Sequence, residues 1–195
     1  LILIPPKDVL KAFMPALFKE FYPNTVLIIE STEVQMESPS ALDKQSMCYS
    51  SYKSRPTIKC LVGITPSGVI AFVSQLYPGS TTDKEITVKC GLLDKLERGD
   101  EVMADKGFLI QDELANIGVT LTMPAFLKGK KQFLVEETEK NKKVASLRLH
   151  VERCMERIKN WHILDRTLPI SLSPVAEDMF ITIAALTNFH PPLIS

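Results

Sequence analysis

The sequence predicts an α/β fold, a mixed five-stranded sheet flanked by helices, and three observations carry that prediction. Apolar runs at 26–29, 58–64 and 69–76 are short, turn-bounded and strand-like, and the last two are joined by Thr65-Pro66-Ser67-Gly68. Two further strand segments, 101–104 and 119–123, are each preceded by a helical signal. A long amphipathic stretch and a final apolar stretch follow. A three-strand meander followed by strands reached through helices implies antiparallel and parallel pairing in one sheet.

At 195 residues the chain can bury a sizeable core. Its 45% hydrophobic content and balanced charge, 23 basic against 23 acidic groups, exclude a disordered class. No run approaches 18 consecutive apolar residues, which predicts no membrane span. Leu1-Ile2-Leu3-Ile4-Pro5-Pro6 lacks a Met and a basic flank, so it does not read as a signal peptide, and the chain reads as beginning inside a larger protein. The four cysteines form no CxxC pair and read as buried free thiols rather than zinc ligands or redox pairs.

In order, residues 8–20 predict a short helix interrupted at Pro15. Val26-Leu27-Ile28-Ile29 predicts a buried strand ending at Glu30. Residues 35–56 are polar and read as an excursion. Pro78-Gly79 breaks the third strand, and Thr81 or Thr82 caps a helix with Asp83 and Glu85 in its first turn. Glu101 to Ala104 is a strand ending at Asp105. Residues 110–117 form a helix closed by Gly118, and Pro124 stops the strand that follows. Residues 134–160 are helical, with Leu147, Val151, Cys154, Met155 and Ile158 as the apolar stripe. Pro174 starts the last helix, through Leu186.

Charge is unevenly distributed. Residues 126–160 carry ten basic groups against five acidic, and 83–113 carry nine acidic against five basic. A basic helical face can hold a polyanion or can be merely solvated.

Three acids stand out: Glu30 and Asp105 at strand ends, and Glu152 on the amphipathic helix. Brought together, they would make a hard oxygen site suited to Mg²⁺ or Mn²⁺. Each also has a plain structural reading. Strand-end carboxylates serve turns and caps, Glu152 can pair with Arg148 or Lys159, and Glu156 is a rival ligand.

Several segments together carry a resemblance. They are Asn24-Thr25-Val26-Leu27-Ile28-Ile29-Glu30-Ser31-Thr32-Glu33, Ser51-Tyr52-Lys53, Leu61-Val62-Gly63-Ile64-Thr65-Pro66-Ser67-Gly68, and Gly79-Ser80-Thr81-Thr82-Asp83-Lys84. The strongest are Met103-Ala104-Asp105-Lys106-Gly107-Phe108 and the run from His150 to Lys159. In order and spacing, from about Phe21 to Leu193, the chain resembles the DDE endonuclease domain of Harbinger-type transposases and their domesticated relatives.

That resemblance implies an RNase H-like fold over 21–195, with 1–20 as the end of a linker or preceding helical segment. It implies a divalent metal, Mg²⁺ or Mn²⁺, on Glu30, Asp105 and Glu152. Glu33, Asp83 and Lys106 are its auxiliary candidates. Lys53, Arg55, Arg148, Arg153, Arg157 and Lys159 are its candidates for the DNA backbone. Double-stranded DNA is the implied partner and the nucleus the implied location. The family's helix-turn-helix part is not among these residues, which points to a separate DNA-binding protein or a second copy as a further partner.

Glu30 departs from the family, which has Asp there. The extra methylene moves the oxygens by roughly 1 Å, a misplacement that can cost about 10²-fold in rate. Two functions are therefore carried forward. One is a metal-dependent endonuclease. The other is an impaired or domesticated domain that binds DNA or protein.

Overall fold

The structure, a computed structural model, describes residues 2–105, 107–123 and 152–191. Two short helices, α1 (Lys7–Phe13) and α2 (Ala16–Phe21), are separated at Met14-Pro15, as the sequence predicts. β1 (Thr25–Gln35) follows, then α3 (Leu42–Cys48), β2 (Tyr49–Ser50) and β3 (Arg55–Ile64). β4 (Ile70–Val73), β5 (Tyr77–Pro78) and α4 (Asp83–Lys89) lead to β6 (Glu101–Ala104). α5 (Gln111–Asn116), β7 (Thr120–Thr122), α6 (residues 152–159) and α7 (Ala176–Thr187) complete the described elements.

The sheet is mixed and RNase H-like in arrangement. β1 pairs antiparallel with β3 and parallel with β6, which pairs parallel with β7. The outer edge of β3 is covered in turn by β2, β5 and β4, giving the order β2-β3-β1-β6-β7 with β4 and β5 also paired to β3.

Period-two alternation sorts the strand side chains onto two faces. Ile28, Val62, Ile64 and Met103 join Phe18 of α2, Cys154, Met155 and Ile158 of α6, and Phe180, Ile183 and Ala184 of α7 in one cluster. Leu27, Ile29, Leu61, Val102 and Ala104 join Leu10 of α1, Ile86 of α4 and Leu114 of α5 in the other. A fully buried Leu or Ile contributes about 1.5–3 kcal/mol, so these two layers hold the sheet between its helices. Burial pushes the Cys154 thiol up to about 12 and the Cys60 thiol further, against the nearby Lys159 charge. The four cysteines are free thiols; Cys60 and Cys154 are buried, Cys48 and Cys90 only partly.

Several sequence expectations are corrected. β1 does not end at Glu30. It continues to Gln35 because residues 30–35 keep their antiparallel pairing with β3, and only the parallel pairing with β6 stops at Ile29. The third strand is shorter than 69–76, because the Ser74 hydroxyl takes the Leu61 N–H at 2.9 Å and turns back to the Gln75 carbonyl. The polar excursion contains α3 and β2. Pro174 lies inside a 3₁₀ turn, Ile170–Val175, and the last helix begins at Ala176.

The stretch Ile170–Thr187 has the length and composition of a membrane span, with a mean hydropathy of 1.3. Here Ala176, Phe180, Ile183 and Ala184 are spent on the core. The expected helix over 134–151, the stop at Pro124, and Lys106, Arg148 and His150 lie outside the described residues.

Candidate functional site

The topology gathers the acids. Ile29 of β1 is the parallel partner of Ala104 of β6, so the next residues, Glu30 and Asp105, leave the pairing side by side. Neighbouring strands are about 4.8 Å apart. Beyond Ala104 the shorter β6 exposes a cleft of about 400 Å³, lined by Glu30, Ser31, Glu33, Tyr52, Lys59, Asp83, Asp105, Gly107 and Phe108. Clefts just outside the carboxyl ends of parallel strands are the usual ligand sites of such sheets.

Each wall has a local cause. Thr82, not Asp83, caps α4: its hydroxyl accepts from Glu85 N while Glu85 Oε2 accepts from Thr82 N. That reciprocal pair holds the Glu85 carboxyl below its usual range, chiefly through the Thr82 N–H. Asp83 is left to turn inward, and Lys59 Nζ meets its Oδ1 at 2.8 Å. The same ammonium donates to the Thr81 carbonyl at 3.3 Å and lies 4.0 Å from Glu33 Oε1. Glu33 Oε2 accepts from the Thr57 hydroxyl at 2.9 Å.

Gly79 makes this approach feasible. A Cβ there would sit 2.1 Å from Thr57 Oγ1 and 2.6 Å from the Cys48 carbonyl, so only glycine lets the chain entering α4 lie against β3. A Cβ at Gly107 would be 3.5 Å from Asp83 Oδ2, which puts the loop after Asp105 against Asp83. Lys84 Nζ, 2.7 Å from Glu113 Oε1, ties α4 to α5 and holds the Glu113 carboxyl below its usual range.

Glu30, Glu33, Asp83 and Asp105 therefore share one cleft. Glu30 follows Ile28 in the alternation and faces the side of the sheet packed by α6 and α7. Glu33, three residues on, pairs with Lys59 on the opposite face. Glu152 is exposed at the start of the described part of α6 and is not among the cleft-lining residues. Among the described residues, no group of three or more Asp, Glu, His or Cys side chains is placed to hold a metal ion. The described donors thus do not form the three-carboxylate set that the resemblance implies.

The other candidates have specific partners. The Lys53 ammonium lies 4.8 Å from the Tyr52 ring centroid, Arg55 donates to Gln35 Oε1 at 2.8 Å, and Arg157 donates to the Pro191 carbonyl at 2.7 Å. Arg153 and Lys159 are exposed. Lys59 was missed by sequence reasoning. Its signal was a single cation inside the otherwise apolar predicted strand 58–64, two residues from Leu61 and on the same face.

A family model described as DDE superfamily endonuclease matches residues 29–188. The chain belongs to this family. The match begins one residue before Glu30, covers Asp83, Asp105 and Glu152, and agrees with the Harbinger-type resemblance. DDE superfamily members generally use a divalent metal and act on double-stranded DNA. No curated protein matches the chain.

Proposed function

We propose that this DDE-superfamily domain is a transposase-derived module of impaired cleavage chemistry that binds double-stranded DNA in the nucleus. One observation carries the reading: the cleft holds its own cation. Lys59 satisfies Asp83 and approaches Glu33, and among the described residues no third ligand joins Glu30 and Asp105. The longer arm of Glu30 acts in the same direction. Binding of this kind is carried by Lys and Arg contacts to phosphates, which position the duplex without reading its sequence.

The test pairs binding with cleavage. The protein should retain a duplex, with affinity falling steeply as salt rises. With Mg²⁺ or Mn²⁺ it should cut no faster than its Asp105→Asn variant. Cleavage by the parent well above that variant would overturn the impaired reading.

A second reading, the active endonuclease, is favoured by the side-by-side exit of Glu30 and Asp105 from paired strands. It expects Glu30→Asp to raise the initial rate above the Asp105→Asn background, more in Mg²⁺ than in Mn²⁺. If Glu30→Asp also stays at that background, the binding reading stands.

A further inference from the structure

The cleft has a lip. Residues 51–54 make the turn between β2 and β3, and its backbone is braced. Lys53 N donates to Ser50 Oγ at 3.2 Å, Arg55 Nε donates to the Lys53 carbonyl at 3.1 Å, and Arg55 is itself anchored on Gln35. Ser54 is held at φ 53°, a left-handed conformation that serine seldom adopts.

This turn carries Tyr52. The residue is 83% exposed, yet it lines the cleft together with Glu30 and Asp105. No core packing explains an aromatic ring so exposed. The Lys53 ammonium lies 4.8 Å from the ring centroid.

The charge around the lip says what fits it. Four carboxylates and one ammonium, among the described residues, line the cleft. Phosphates are therefore kept at the rim, where Lys53 stands. A neutral aromatic group meets no such repulsion and can lie on Tyr52 above the acids. The cleft volume is within the range of small-ligand sites. Bases inside a duplex are stacked on one another and offer no free face, so the occupant must be unpaired.

We propose that Tyr52 is a stacking platform for an unpaired nucleotide at the cleft mouth, with Lys53 meeting that nucleotide's phosphate. The inference rests on the DNA-binding reading and adds the form of DNA that the cleft takes. Every base has a π-face, so stacking on Tyr52 carries little sequence preference. Lys53 suits the second role because its ammonium is a compact charge on a flexible stem, able to leave the ring for a phosphate.

The experiment measures anisotropy with a blunt duplex and with the same duplex bearing a short unpaired tail. The parent should prefer the tailed DNA by roughly tenfold, the scale of one aromatic–base stack. Tyr52→Ala should lose that preference and keep the parent's affinity for blunt duplex. Tyr52→Phe should keep both. A 2-aminopurine in the tail should be quenched by the parent and not by Tyr52→Ala. Equal affinity of the parent for both DNAs would overturn the inference and leave the duplex-binding reading intact. So would Tyr52→Ala behaving as the parent, or Tyr52→Phe failing as Tyr52→Ala does. Failure of the parent to bind either DNA would overturn both.

Discussion

The two ends of the sheet carry the same residue type to opposite effect. At the amino ends of β1 and β6, acids are fixed by several partners each. Asp100, 5% exposed, meets Lys7 Nζ at 2.8 Å and accepts from Glu97 N at 2.8 Å. Glu101 accepts from Thr25 on one neighbouring strand and from Thr122 on the other. These carboxylates fasten α1, β1, β6 and β7 together. At the carboxyl ends, Glu30, Glu33, Asp83 and Asp105 gather around a cleft with Lys59. The difference teaches that burial and partner geometry, not residue type, set an acid's part: Asp100 is buried and locked into the fold, Asp105 is exposed at the cleft, and Glu33 and Asp83, held by Lys59, lie between the two. Asp100 and Asp105 sit at opposite ends of the same strand and exemplify the two roles.

Four substitutions test that contrast, from the largest effect to the smallest. Lys59→Met leaves Asp83 and Glu33 without their shared cation in a mostly buried setting and should cost about 3 kcal/mol of stability in urea unfolding. A loss near zero would mean that the carboxyl-end acids do not depend on Lys59. Asp100→Ala removes a buried carboxylate and leaves the Glu97 amide without its acceptor, and should cost about 2 kcal/mol by the same measurement.

Thr82→Ala removes the cap of α4 and should cost about 1 kcal/mol. Its pH signature has a definite sign. The Glu85 carboxyl is held below its unfolded value, so its contribution is present above that value and is lost as pH falls through the folded one. Thr82→Ala keeps the backbone N–H that chiefly holds the carboxyl down and loses only the hydroxyl, so its penalty should shrink in acid by the hydroxyl's share alone, read from paired unfolding curves at neutral and acidic pH. Finally, Asp105→Asn, at an exposed position, should change stability by no more than about 0.5 kcal/mol. A loss as large as that of Asp100→Ala would erase the distinction between the two ends.

Much of this fold was legible where local chemistry is decisive. The cap of α4, the glycine after α5, the break at Pro15 and the bounds of β6 each follow from one or two residues. Less legible was what long-range pairing decides. Ser31-Thr32-Glu33 reads as the polar end of a strand, but Thr32 and Val34 are buried because β3 continues alongside. The meeting of Glu30 with Asp105 needed β6 to pair beside β1, which no local signal encodes; the resemblance supplied it. Lys59 stayed hidden for a similar reason, and Tyr52, though within a segment of the resemblance, had no role assigned. A lysine in a strand and a tyrosine in a polar turn acquire meaning only from what lies opposite.

The placement of β6 also bears on how the chain reaches this state. β3 can pair with β1, and β4 with β3, soon after they are made, but the other edge of β1 waits for residues 101–104. Until they arrive, Leu27-Ile28-Ile29 presents an apolar strand with an unpaired row of backbone groups, the feature that favours pairing between molecules. Such non-local pairing also slows folding. On the ribosome, the interval between completing β4 and completing β6 is therefore when this domain is most exposed to aggregation.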